Sequence, residues 1–297
     1  MTRSGIVGVA GRPNVGKSTL TNAIVGIKVA IVSDRPQTTR RAVRGVATNL
    51  QQDWQIVLVD LPGVQRPRDA LTGRMQRRVE HELGDSEAVL FLIDGVQGVG
   101  PGDRFIARAL LGARNDGPVV CAVNKIDRLS RHEIAAVLAA VEELDVADEI
   151  FPVSAKTGAG VEAMTERLAE MLPEGPLLYP AGERSDASPE HRLAELIREQ
   201  VLRRAREEIP HAVEVVVNEI SPRDDGLVEV RAQIWAETES QKGILVGSGG
   251  RMVREIGTAA RRELELELGA RVFLDLHVRV RRQWRRDESL LDRLGIE

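Results

Sequence analysis

The sequence predicts an α/β domain built on a mostly parallel sheet, followed by a smaller α+β domain. Three observations carry this. Short β-branched apolar runs alternate with helix-like stretches from residue 5 to about 172, a proline- and glycine-rich break follows, and the remainder reads helix, strand, strand, helix, helix, strand. A length of 297 residues suits two cores, because single cores stop growing near roughly 250 to 300 residues.

The strand-like runs are Gly5 to Ala10, Trp54 to Val59, Ala88 to Ile93, Val119 to Val123 and Ile150 to Val153. Nearly continuous apolar runs of this kind belong to strands buried on both faces, as in a helix-covered parallel sheet. Residues 172–189 hold Pro173, Pro176, Pro180 and Pro189 with Gly175 and Gly182, a composition that breaks regular structure. The predicted division is therefore 1–172, a linker over 173–189, and 190–297. In the second domain a helix is predicted over 190–208, strands over 211–220 and 227–236, a glycine-rich turn at 247–250, a helix over 251–268, a strand over 271–281 and a short terminal helix.

Composition excludes several classes. The 42% hydrophobic and 29% charged shares are those of a folded globular chain, and the longest apolar runs fall far short of the ~20 residues of a membrane span. With no secretory layout at Met1, a cytoplasmic location is expected. The single cysteine, Cys121, lies in an apolar run and reads as core packing. The five histidines are scattered, without zinc-site spacing. With 41 basic and 45 acidic residues, any nucleic-acid reading must rest on local clusters. Only five lysines stand beside 36 arginines, so a lysine that persists marks a place where arginine does not substitute.

Gly11-Arg-Pro-Asn-Val-Gly-Lys-Ser18 sits between a predicted strand and a predicted helix, as a phosphate-binding loop must. Gly11 and Gly16 let the backbone curl, so that amides around Asn14, Val15, Gly16, Lys17, Ser18 and Thr19, with the helix N-terminus, converge on a polyphosphate. Lys17 would place its charge on the β- and γ-phosphates, and the Ser18 hydroxyl would be a ligand of Mg2+. Asp60-Leu-Pro-Gly63 follows a strand, which puts the Asp60 carboxylate at the carboxyl edge of the sheet to hold the metal through water; Gly63 would offer an amide to the γ-phosphate.

Asn124-Lys-Ile-Asp127 also follows a strand. A carboxylate accepts from both the N1–H and the exocyclic amine of guanine and finds no matching pair on adenine, so Asp127 reads as the guanine selector. Asn124 would brace the loop, the Lys125 stem would lie along the purine, and Ser154-Ala155-Lys156 would add the Ala155 amide to the guanine carbonyl. A metabolic kinase using the same phosphate loop has no need of Asn124 to Asp127 and shows no second-substrate motif. In the C-terminal half, residues 242–262 carry Lys242, Arg251, Arg254, Arg261 and Arg262 against Glu255, and residues 271–286 carry six arginines against Asp275. Such stripes suit phosphate contacts, provided Asp224, Asp225, Glu263, Glu265 and Glu267 lie elsewhere.

These motifs resemble those of the translation-factor-related GTPases, and Gly11 to Thr19 resembles the loop of the Era and Der branches. Val246-Gly-Ser-Gly-Gly250 resembles the Gly-x-x-Gly loop of a type II KH domain, and a GTPase domain followed by one KH domain is the layout of the Era family. The resemblance covers nearly the whole chain. It implies a P-loop GTPase fold, GTP and GDP as ligands, and Mg2+ held by Ser18, Asp60 and Thr39 (or Thr38, both in the first switch), with Thr39 preferred. It implies binding near the 3′ end of 16S ribosomal RNA through Lys242, Ile244, Gly247, Ser248, Gly249, Gly250, Arg251 and Arg254, and a role in assembling the small ribosomal subunit. Leu245 and Val253 are expected to add apolar contact. A monomer is expected; a C-terminal domain docked on a protein or a membrane surface is the alternative reading.

Three departures stand out. Position 61 is Leu where the family usually has Thr. The middle of the KH loop, Ser248-Gly249, lacks a common lysine, so its grip leans on Arg251 and Lys242. Val64 stands where Ras-like enzymes place the water-orienting glutamine. Some relatives instead use K+ held partly by the loop asparagine, which Asn14 matches, and this implies slow unstimulated turnover. The catalytic set is then Asn14, Lys17, Thr39, Asp60 and Gly63.

Overall fold

The computed structural model describes residues 2–35, 37–64, 69–112, 117–205 and 209–296. Its contacts divide it into two units: residues 1–30, 39–68 and 72–186 form the first; residues 31–38, 69–71 and 187–297 form the second.

In the first unit, β1 (Arg3–Gly11), α1 (Lys17–Val25), β2 (Val43–Asn49), β3 (Trp54–Asp60), α2 (Ala70–Gly84), β4 (Ala88–Asp94), α3 (Pro101–Gly112), β5 (Val119–Asn124), α4 (Arg131–Glu142), β6 (Glu149–Pro152) and α5 (Val161–Met171) follow one another, α2 beginning within the short stretch grouped with the second unit. The described strands form one sheet in the order β2-β3-β1-β4-β5-β6. All neighbours are parallel except β2, which runs antiparallel to β3. The sequence reading misses β2, because Arg44 and Gly45 interrupt its apolar character and an edge strand needs little of it.

Both faces of the sheet are buried, which explains the unbroken apolar runs. On β4, Leu90 and Leu92 join one core with Val7, Val9, Leu20 and Leu168, while Phe91 and Ile93 join another with Ile106, Cys121 and Val141. Cys121 is fully buried as expected, and burial pushes its thiol well above the usual range. Local chemistry sets helix starts: Ser130 and Glu133 form a reciprocal cap on α4.

The proline-rich stretch is held along the first unit. Ser4 N donates to Pro173 O at 3.1 Å and Val46 N to Arg184 O at 2.9 Å. The buried Gln55 side chain accepts from the amides of Leu178 and Tyr179 and donates to Tyr179 O at 2.9 Å. Prolines remove regular ladders here, and Gln55 supplies the partners those backbone groups need.

In the second unit, α6 (Pro189–Arg204), a short helical turn α7 (Ile209–Ala212), β7 (Glu214–Pro222), β8 (Leu227–Ala236), α8 (Glu239–Val246), α9 (Arg251–Leu268), β9 (Arg271–Val280) and α10 (Glu288–Arg293) follow in order. Helix α6 starts on a Ser188 cap with proline in its first turn and ends at Ala205, whose backbone is extended; the expected continuation through 206–208 falls outside the described residues. The three strands run β7-β8-β9, with β7 antiparallel and β9 parallel to β8. Leu193, Ile197 and Val201 of α6, Leu245 of α8, and Ile256, Ala260 and Leu264 of α9 pack on this sheet. The strand expected from residue 211 begins at Glu214, after the turn of α7.

Candidate functional site

Strand β1 lies at the centre of the sheet, and the carboxyl ends of β1, β3, β4 and β5 deliver Gly11, Asp60, Asp94 and Asn124 to one edge. Parallel α/β sheets keep ligands along this edge. The loop after β1 needs its glycines. Gly11 has φ 152° and Gly16 φ 104°, and a Cβ on Gly16 would lie 2.3 Å from the Asn124 amide nitrogen. Asn14 is exposed, with φ 64°; Val15 is buried and Thr19 half-buried.

Lys17 points back into this loop, its Nζ donating to the carbonyls of Gly11 and Arg12 at 3.2 and 3.1 Å. It is 6% exposed, and burial lowers its pKa to about 8 against the opposing attraction of Asp60. Burial likewise raises Asp60 above the usual carboxylate range, opposed by Lys17 and by hydrogen bonds from Ser18 and Thr39. Each group therefore gains from an added ligand of opposite charge.

Three oxygens expected around a metal meet here. Ser18 Oγ donates to Asp60 Oδ2 at 2.6 Å, and Thr39 Oγ1 lies 3.1 Å from Ser18 Oγ and 3.4 Å from Asp60 Oδ2. The buried Asp60 Oδ1 finds no hydrogen-bond partner among the described residues. Two hydroxyls and one carboxylate with an unsatisfied buried oxygen fit a small hard cation such as Mg2+. Of the two threonines, Thr38 turns its hydroxyl to Arg35 O at 2.6 Å; Thr39 faces the site.

Gly63 closes against the loop, and a Cβ there would come 2.8 Å from Pro13. Val64 N approaches Gly11 O at 3.4 Å, while its half-buried side chain packs against the apolar core. Leu61 is fully buried beside Val59 and Val79, so leucine here strengthens a core contact.

At the other end, Asn124 is 2% exposed and ties three segments together. Its Nδ2 donates to Val15 O at 2.9 Å, and its Oδ1 accepts from Lys125 N at 2.8 Å and Ala155 N at 3.0 Å. The Ala155 amide, expected to face a guanine carbonyl, is thus engaged by Asn124. Asp127 Oδ1 accepts from the fully buried Ser154 hydroxyl at 2.7 Å, which orients the carboxylate. Lys156 is exposed.

Two acidic residues escaped the sequence reading. Lys125 Nζ donates to Asn14 O at 2.8 Å and to Asp94 Oδ2 at 2.6 Å, Asp94 being 1% exposed. Arg12 Nε donates to the buried Asp103 at 2.8 Å, anchoring the phosphate loop to α3. Asp94 carried a signal, an acid ending an apolar strand as Asp60 does. Asp103 had none, because its partner lies 91 residues away.

In the second unit the Gly-x-x-Gly loop joins α8 to α9. Gly247, Gly249 and Gly250 have φ of 71°, 57° and 77°, so each sits where side chains are strained. Arg254 braces the loop by donating to the carbonyls of Gly249 and Gly250. Lys242, Arg251 and Ile244 are solvent-accessible beside it, Ile244 at 48%. Leu245 is 1% exposed and belongs to the core, so it offers no apolar contact to a ligand; Val253 is half-buried. Among the described residues no helix is long and apolar enough to cross a membrane.

Residues 6–125 match the family described as 50S ribosome-binding GTPase, and residues 208–285 match the KH domain family. The chain is 47% identical over 296 residues to GTPase Era of Mycobacterium sp. (strain KMS), covering 99% of this chain and 98% of that one. It is 48% identical over 299 residues to GTPase Era of Mycobacterium tuberculosis (strain ATCC 25177 / H37Ra), covering 98% of each. Among solved structures it resembles Era in complex with MgGDPNP and nucleotides 1506–1542 of 16S ribosomal RNA, with TM-score 0.94 and 35% identity over 100% of this chain and 99% of that one. It also resembles a single-substitution variant of Aquifex aeolicus Era bound to GDP.AlF4-, with TM-score 0.95 and 34% identity over 99% of each. A phosphate loop, a guanine-type loop and a KH unit on one chain, together with these full-length matches, establish that the chain belongs to the Era family of GTPases.

Proposed function

We propose that this chain is a magnesium-dependent, GTP-hydrolysing switch whose KH unit binds small-subunit ribosomal RNA near its 3′ end and so serves assembly of the small ribosomal subunit. The observation that carries the nucleotide half is Asn124, whose one amide group joins the phosphate loop at Val15 to the base-reading loop at Lys125 and to Ala155. Both ends of a guanine nucleotide are thereby held in one frame. The RNA half is supported by the KH unit and by the Era relative that holds nucleotides 1506–1542 of 16S ribosomal RNA. The description matched by residues 6–125 names the 50S particle. The small-subunit reading rests on the relative that matches both units.

Lys17 and the amides of residues 14–19 bind and orient the β- and γ-phosphates, and Asp127 accepts from the guanine edge. Ser18, Thr39 and Asp60 would hold Mg2+, which neutralises charge spread over the phosphate oxygens. Gly63 would offer its amide to the γ-phosphate. With the aliphatic Val64 side chain against the core, no group at that position orients water, so unstimulated turnover is slow. Asn14 is the position at which K+ would add transition-state charge. The protein works as a cytoplasmic monomer.

The test is calorimetry with GTP and ATP, with and without Mg2+, followed by filter binding to an RNA spanning the 3′ end of the small-subunit RNA. GTP preferred over ATP by at least about a hundredfold, with magnesium dependence, supports the reading. Equal affinity for ATP overturns its nucleotide half; no RNA binding overturns the other.

A further inference from the structure

The loop contacts that the family resemblance implies stop at Arg254, but the basic stripe continues to Arg262. Helix α9 buries Ile256, Ala260 and Leu264 against the sheet, and at 100° per residue Arg251, Arg254, Glu255, Thr258 and Arg262 all project from the opposite side. That face is one wall of a groove of about 660 Å3 beginning at Ser248 of the KH loop. Arg204, at the end of α6, contributes to its lining from a second element.

We propose that this groove is an extension of the nucleic-acid site, a track for the sugar-phosphate backbone of single-stranded RNA leaving the KH loop, with Arg204 and Arg262 as its outer contacts. The inference rests on the RNA-binding reading above. Arg204 Nη1 donates to Gln200 O and Gln200 Oε1 at 3.2 and 3.0 Å, which pins the guanidinium at the end of its helix and leaves its other donors for a ligand. Arg262 is exposed and makes no ion pair among the described residues. Thr258 and Ala259, small residues at the middle of the wall, leave room for a chain to lie down.

Charge and length agree with this ligand. Among the described lining residues four are arginines and one, Glu255, is acidic, and it is 4.0 Å from Arg251. Two of the carboxylates further along α9 are engaged elsewhere: Glu265 accepts from Val272 N at 3.2 Å, and Glu267 pairs with Arg192 at 2.7 Å. From Arg251 to Arg262 the helix rises about 16 Å, enough for several successive phosphates beyond the roughly four nucleotides a KH loop clamps. No aromatic side chain lines the groove among the described residues, so its arginines serve chiefly the phosphates, with little sequence preference.

Full-length protein with Arg204→Gln and Arg262→Gln combined is titrated with single-stranded RNAs of about five and about twelve nucleotides from the sequence bound by the unaltered protein. The longer RNA should bind roughly tenfold or more weakly to the double variant, with the slope of log affinity against log salt lowered by about 1.4, or about 0.7 per lost phosphate contact. Affinity for the short RNA and GTP turnover should be unchanged, and Arg204→Lys with Arg262→Lys should restore the slope. An unaltered slope and affinity on the longer RNA overturns the proposal. So does capture by phosphatidylglycerol vesicles that depends on these arginines while RNA binding does not. If the unaltered protein binds neither RNA, the RNA-binding reading itself has failed.

Discussion

The Ser18 hydroxyl donates to Asp60 Oδ2 at 2.6 Å across 42 residues of sequence, joining the first turn of α1 to the end of β3. With the second carboxylate oxygen buried and without a partner among the described residues, the pair is poised for a cation. Asp60→Asn keeps the shape and removes the charge. Turnover should fall by at least about a hundredfold and require several-fold more Mg2+, read from GTP hydrolysis across a magnesium titration. A variant hydrolysing GTP normally at low Mg2+ would contradict the assignment of Asp60.

Lys17 offers a pH signature. Its pKa in the nucleotide-free protein is about 8, and a bound polyphosphate favours the charged ammonium and raises that value. Above pH 8 the free protein has lost the proton and the complex retains it, so binding takes up a proton and affinity falls as pH rises. Calorimetry at about pH 8.5 in two buffers of different ionisation enthalpy should find most of one proton taken up per nucleotide, and little at about pH 6.5. Equal heats in both buffers at the higher pH would remove this account.

Asp127 is oriented by Ser154 at 2.7 Å. Asp127→Asn replaces one acceptor by a donor, which mismatches guanine and matches xanthine, whose exocyclic group is a carbonyl. GTP affinity should drop by a hundredfold or more, about 3 kcal/mol, while XTP binding appears. Competition with a fluorescent nucleotide reads both; retention of GTP preference would show that the base is chosen elsewhere.

Asp94 is a positioning residue, acting through Lys125. Asp94→Asn removes the partner of a lysine that also grips the Asn14 carbonyl. Weakening one charge-assisted bond should speed nucleotide release by about tenfold, for GDP and GTP alike, without changing the hydrolysis rate at saturation. Stopped-flow release kinetics check this, and a change confined to hydrolysis would refute it.

Gly249→Asp places a charged side chain at φ 57° in the KH loop, where glycine is favoured. RNA affinity should fall by about tenfold or more with GTP turnover intact, as filter binding and a phosphate-release assay would reveal. In the same turnover assay, replacing K+ by Na+ should slow the unaltered protein and leave Asn14→Ala indifferent. Identical rates in both salts would dismiss potassium.

Local sequence already specifies the chemistry-bearing ends of the strands. Gly11 to Ser18, Asp60 to Gly63 and Asn124 to Asp127 each follow a strand, and a parallel sheet aligns such carboxyl ends on one edge whatever lies between. The KH loop was legible for a related reason: three glycines between two helices specify positive φ locally. Other features depend on contacts distant in sequence. The edge strand β2 exists because β3 offers a partner, Leu245 faces inward because α8 packs on the sheet, and Ala155 donates to Asn124 across 31 residues. Arg12 with Asp103, Lys125 with Asp94, and the alignment of Arg204 with α9 are likewise tertiary. Backbone conformation is written in neighbouring residues, whereas the pairing of charges is settled only when folding brings distant elements within hydrogen-bonding reach.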